Sequence, residues 1–127
     1  MILVAEDEDA VRALAVRALE EEGYQVLEAA DGVEALQAFE RAVVRPEVVV
    51  TDVIMPRLNG RQLSDAVWAR WPDVRVLFMS GHTGESDVLE RLVPAGAPFL
   101  QKPFTPEGLA QAVGALRAKA GMNHAPQ

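Results

Sequence analysis

Short apolar runs alternate along the chain with stretches in which apolar residues recur every three or four positions. Ile2 to Ala5, Val48 to Val50 and Val74 to Met79 are largely β-branched or apolar, as strands covered on both faces of a parallel sheet require. Gln25 to Glu28 and Ala97 to Gln101 carry the same signal more weakly. Between the runs, Val11, Leu14, Ala15, Ala18 and Leu19 fall at i, i+3, i+4, i+7 and i+8, and Leu109, Ala112, Val113 and Leu116 repeat the first four offsets. Each set places one apolar stripe on an amphipathic helix. Three further helices are predicted from Val33, Leu36, Phe39 and Val43, from Leu63, Ala66 and Val67, and from Val88, Leu89 and Leu92. The pattern is five strands alternating with five helices.

Local punctuation agrees with this division. Gly23 stands where a helix ends, Asp31-Gly32 reads as a turn, and Thr105-Pro106-Glu107 sets an N-cap, a first-turn proline and a dipole-matched acid in order. Strict alternation predicts right-handed crossovers and an open doubly wound α/β sheet, with ligands collecting beyond the carboxyl ends of its strands. Residues 1–120 read as one domain and 121–127 as a flexible C-terminal tail.

Composition narrows the function. A chain of 127 residues that is 50% hydrophobic can build one real core. Nineteen acidic and twelve basic side chains give a net charge of -7, which opposes direct nucleic acid binding. With no cysteine there is neither a disulfide framework nor thiolate chemistry. The apolar runs fall short of a membrane span and no signal-peptide pattern opens the chain, so a cytoplasmic location without membrane association is expected.

The loops after the strands hold the candidate chemistry. The first strand runs into Glu6-Asp7-Glu8-Asp9 and the third into Thr51-Asp52, so carboxylates leave the sheet at one edge. Glu8 and Asp9 suit a helix N-terminus. Glu6 and Asp7, directly off a buried strand, need a positive partner, and a few carboxylates suit Mg²⁺. Asp52 lies between Val48-Val49-Val50-Thr51 and Val53-Ile54-Met55-Pro56, an acid among core residues. A carboxylate beside Mg²⁺ can act as a phosphoryl nucleophile and become an acyl phosphate. Ser80 and Lys102, at the ends of the fourth and fifth strands, offer a hydroxyl and an ammonium for phosphoryl oxygens.

Four segments together resemble the receiver domain of bacterial two-component response regulators: Leu3-Val4-Ala5-Glu6-Asp7-Glu8, Val50 to Pro56 with Asn59-Gly60, Phe78-Met79-Ser80-Gly81, and Phe99-Leu100-Gln101-Lys102-Pro103-Phe104. The resemblance implies a flavodoxin-like (βα)5 sheet of strand order 2-1-3-4-5. It implies transfer of a phosphoryl group to Asp52 from the phosphohistidine of a sensor histidine kinase or phosphotransfer protein. Glu6, Asp7, Asp52 and the backbone carbonyl of Ile54 would hold Mg²⁺, Lys102 would pair with the phosphoryl group, and its bond to Pro103 would be cis. Ser80 would turn towards the phosphate and Phe99 would move with it, presenting a changed face to an effector protein or fused domain. The module would not be an enzyme beyond its own phosphorylation and dephosphorylation.

Glu6 stands where the family usually has Asp, Ser80 where Thr is frequent and Phe99 where Tyr is frequent; Pro94 would end the helix around Val88 early. Ile54 and His82 occupy positions that in receivers flank the hydrolytic water, and apolar Ile54 is expected to leave the acyl phosphate long-lived. For His82 an exposed loop residue is the simpler reading than a base or a metal ligand. A phosphorylation-independent pseudo-receiver is the alternative function. The chain reads either as a stand-alone regulator or as a piece cut from a larger protein, with some likeness to receivers fused to sensor kinases.

Overall fold

The protein, as a computed structural model, is described for residues 1–81, 92–94 and 96–118. The five apolar runs form five parallel strands, β1 (Ile2–Ala5), β2 (Val26–Ala29), β3 (Val48–Asp52), β4 (Arg75–Ser80) and β5 (Phe99–Gln101), in the order β2-β1-β3-β4-β5. Four helices are described: α1 (Asp9–Glu21), α2 (Gly32–Arg41), α3 (Gly60–Arg70) and α4 (Pro106–Ala118). The helix predicted around Val88 and Leu89, together with His82 and the tail 121–127, lies outside the described residues.

Period-two alternation divides the sheet into two cores. Ile2, Val4, Val48, Val50, Leu77 and Met79 meet Ala15 and Leu19 of α1 and Leu109, Val113 and Leu116 of α4. Leu3, Ala5, Val49, Val76 and Phe78 meet Ala35 and Phe39 of α2 and Leu63, Val67 and Trp68 of α3. Both faces are therefore covered, which is why β1 and β3 contain no exposed residue. The order turns back on itself between β1 and β3, so the crevice at their carboxyl ends is the topological switch point.

Several local readings change in the structure. Asp31-Gly32 is a helix entry, not a free turn: Asp31 is the N-cap of α2 and accepts from the Glu34 N–H at 2.8 Å. Val43, which continues the predicted apolar stripe of α2, stands fully exposed beyond the helix, because the chain becomes extended at Ala42, ahead of Arg45-Pro46. Leu14 keeps its helical position but is 41% exposed, since α1 turns its small residues Ala15 and Ala18 to the sheet. Strand limits shift by up to two residues. Gly23, at φ +93°, ends α1 in the left-handed conformation that glycine adopts at low cost. Thr105 caps α4 by accepting from the Gly108 N–H at 2.9 Å.

The entry to α3 matters for the site. Asn59 and Gln62 form a reciprocal capping box, worth about 1 kcal/mol for the cap alone. At Gly60 an added Cβ would fall 2.5 Å from the Asp52 carbonyl oxygen, so only glycine lets α3 start this close to the end of β3.

Candidate functional site

Strand register gathers the chemistry. Ala5 pairs with Thr51, so the next residues, Glu6 and Asp52, leave neighbouring strands at one level. Asp52 pairs with Met79, and Ser80 pairs with Gln101, which puts Ser80 and Lys102 one step further on. The Lys102 N–H donates to the Ser80 carbonyl at 3.0 Å. Residues from four separate strand ends thus meet over the crevice between β1 and β3.

Glu6 is fully buried, Asp52 is 4% exposed and Ser80 is fully buried, whereas Asp7 is exposed at the rim. One carboxylate oxygen from each of Glu6, Asp7 and Asp52 lies within 4.8 Å of the others. Lys102 reaches into this group: its Nζ is 2.5 Å from Glu6 Oε1 and 3.2 Å from Asp52 Oδ2. The Glu8 N–H donates to Glu6 Oε2 at 3.0 Å. Asp52 Oδ1 is buried and has no hydrogen-bond partner among the described residues. Orphan carboxylate oxygens are costly, and a hard cation among three carboxylates supplies what this one lacks. The donor set therefore fits Mg²⁺.

Among the described residues three carboxylates face one ammonium, so the balance of charge there is unfavourable without a cation. Burial pushes the Glu6 carboxyl up to about 7, against the opposing contacts with Lys102 and the Glu8 N–H. Burial also raises Asp52, the charge of Asp7 adds to this, and Lys102 opposes it. Burial by itself would lower Lys102, but Glu6 and Asp52 outweigh it and the ammonium is held above its ordinary value.

These shifts make stability depend on pH. Between the ordinary value of 4.5 and about 7, native Glu6 keeps a proton that the unfolded chain has released, so stability falls as pH rises through this window. Asp52 acts in the same sense, whereas the lowered Asp31 titrates below 3.8 and stays outside it. Thermal unfolding in chelator is expected to show the fall in wild type and a flatter profile in Glu6→Gln. A midpoint that climbs across the window would contradict it.

The remaining candidates, and the two tryptophans, lie outside this cluster of carboxylates. Ile54 is half-buried against the α2–α3 core, just past β3. Phe99 is 41% exposed on β5, in register with Phe78 and two positions before the residue facing Ser80. The Lys102-Pro103 bond is cis. Leu92 and Pro94 are described, but the helix surface they would shape is not. Trp68 is a packing residue whose Nε1 donates to the Val74 carbonyl at 2.8 Å, and Trp71 packs against Phe39 with the rings tilted by 38°.

Sequence reasoning missed Arg12 and Arg57. Arg57, at φ +68°, reaches Asp31 with Nε at 3.1 Å and Nη2 at 2.7 Å, tying the loop after β3 to the start of α2. Arg12 binds the turn after β1. The only hint of Arg12 in the sequence is its place three residues after Asp9, as the first basic residue of an acidic opening.

Comparison with known proteins adds the lineage. Residues 2–114 match the family model of the response regulator receiver domain. The sensor kinase CckA of Brucella abortus (strain 2308) is 44% identical over 114 residues, which cover 88% of this chain and 12% of the kinase. The response regulator MprA of Mycobacterium sp. (strain KMS) is 35% identical over 125 residues, 98% of this chain and 54% of that protein. The chain thus spans about an eighth of one relative and about half of the other. The crystal structure of the receiver domain of NtrX from Brucella abortus superposes with a TM-score of 0.82 at 31% identity, covering 94% of this chain and all of that one.

Proposed function

The chain belongs to the response regulator receiver domain family, the signalling module of two-component phosphorelays, and from that premise we propose that Asp52 is its phosphoryl acceptor. The observation that carries the reading is the buried Asp52 Oδ1, without a partner among the described residues, at the meeting point of Glu6, Asp7 and Lys102.

In the transfer, an Asp52 carboxylate oxygen forms the new O–P bond while the N–P bond of the donor phosphohistidine breaks. The imidazole leaves with the electron pair. Glu6, Asp7, Asp52 and the Ile54 carbonyl would hold Mg²⁺, which would supply positive charge against the phosphoryl oxygens. Lys102, already 3.2 Å from Asp52, adds a second positive charge where negative charge builds up. Ser80 offers its hydroxyl to a phosphoryl oxygen, and its movement frees the space that Phe99 fills. Burial keeps bulk water from most of the site. The donor is a sensor histidine kinase or phosphotransfer protein in the cytoplasm, and the reader is an effector protein or fused domain. Among the described residues no helix is long and apolar enough to cross a membrane.

Incubation with acetyl phosphate and Mg²⁺, followed by intact mass measurement, tests the reading. One added phosphoryl group is expected, and none in chelator. A phosphorylation-independent module would give no adduct in either condition; the complete set of Glu6, Asp7, Asp52, Ser80 and Lys102 at one edge speaks against it. The lifetime of the adduct tests Ile54. Its apolar side chain offers no hydrogen bond to an attacking water, so Ile54→Asn is expected to lose phosphate several-fold faster, roughly 1 kcal/mol in barrier. Equal decay in the two proteins would remove that role.

A further inference from the structure

We infer that Arg12 is a positioning residue, a clamp on the turn after β1 that aims Glu6 and Asp7 at Asp52. The inference rests on the Mg²⁺ reading above and assigns a task to a residue outside the ligand set.

Arg12 lies on α1, but its side chain is only 16% exposed and folds back over the start of the helix. Its guanidinium reaches three elements at once. Nη1 donates to the Glu6 carbonyl at 2.9 Å, Nη2 to Asp9 Oδ1 at 2.7 Å, and Nε to Glu28 Oε1 on β2 at 3.1 Å. A planar guanidinium presents its donors to three such acceptors in fixed, spread directions, whereas a lysine ammonium is a compact charge with rotating donors.

The contact with Glu6 is the informative one. That carbonyl belongs to the planar peptide unit joining Glu6 to Asp7, whose tilt is set by ψ of Glu6 and φ of Asp7, so a bond that holds the carbonyl restrains both dihedrals. Holding the carbonyl therefore sets the angle between the two side chains. Glu6 Oε2 accepts from the Glu8 N–H on the inner side of the same turn, so the turn is gripped from both sides. Asp7 has most to lose from a loose turn, because it is exposed and not held by surrounding core.

Charge alone makes the opposite prediction. A guanidinium near a cation site repels the cation, so deleting it would tighten Mg²⁺ binding. Asp9 and Glu28 pair with Arg12 and offset much of that repulsion, which leaves its geometric role uppermost.

Isothermal titration of the full chain with Mg²⁺ separates the two accounts. Arg12→Ala is expected to weaken Mg²⁺ binding about tenfold, the usual effect of removing a residue that orients ligands. The half-saturating Mg²⁺ for acetyl phosphate labelling should shift equally, with the rate at saturating Mg²⁺ near wild type. Arg12→Gln keeps a donor for the Glu6 carbonyl without the charge, so it should bind more weakly than wild type and, where Arg12→Ala folds, more tightly than that variant. Glu28→Gln leaves the clamp on Glu6 intact but unmasks part of the Arg12 charge, so it should lose less Mg²⁺ affinity than Arg12→Ala. Unchanged or tighter Mg²⁺ binding in the Arg12 variants overturns the inference alone. Absence of Mg²⁺ binding in the wild type overturns the reading of the site and this inference with it.

Discussion

Asp52→Asn is expected to take up no phosphoryl group from acetyl phosphate at any Mg²⁺ concentration, while its metal-free form unfolds at a higher temperature than wild type. The two effects have one origin. The amide is close in size to the carboxylate but is not a phosphoryl nucleophile, so the adduct disappears. It also removes one of three negative charges that share a single ammonium, and burial already disfavours the ionised acid. The neutral amide escapes that burial penalty, so the metal-free variant gains stability. Mg²⁺ should then raise the unfolding midpoint of wild type far more than that of the variant, since a ligand stabilises only the state that binds it. Mass spectrometry and thermal unfolding with and without Mg²⁺ check both parts. Labelling that persists in Asp52→Asn would move the acceptor elsewhere.

Lys102→Ala should have the opposite effect on the fold and a large effect on transfer. Lys102 stands within ion-pair distance of both Glu6 and Asp52, and its side chain is only 14% exposed. Removing one partner of a buried ion pair typically costs about 3–5 kcal/mol, because the remaining charge is left uncompensated. Here the loss is smaller near neutral pH, since Glu6 already sits at about 7 and can take up a proton. The deficit should therefore grow from pH 6 to pH 8 and shrink when Mg²⁺ is added. Labelling should slow by roughly 10²-fold, the scale for losing one preorganised charge at a reaction centre. A variant as stable as wild type at pH 8 without metal would show that Lys102 does not hold the carboxylates together. One that labels at the wild-type rate would remove it from the transfer.

Much of this site is legible in the sequence for a simple reason. Strands buried on both faces are marked by their apolar composition, and the residue after the last apolar position of a strand must leave the sheet at its edge. Residue order alone therefore places Glu6, Asp7, Asp52, Ser80 and Lys102 at one edge. The misreadings concern positions where tertiary contact decides between local options. Asp31 suits both a turn and an N-cap, and only its bonds to Glu34 and Arg57 choose the cap. Val43 continues a helical period, yet the helix ends two residues earlier.

The sequence by itself determined the alternation of strands and helices, the edge at which the acids emerge and the chemistry they can support. These depend on periodicity and residue type, which are local. Tertiary structure alone decided the distances: that Lys102 meets Glu6 as well as Asp52, that one oxygen of Asp52 has no partner among the described residues, and that Arg12 reaches back to the Glu6 carbonyl. Such contacts join residues that are far apart in the chain or lie on different elements. They exist only once register and helix packing have brought the strand ends together.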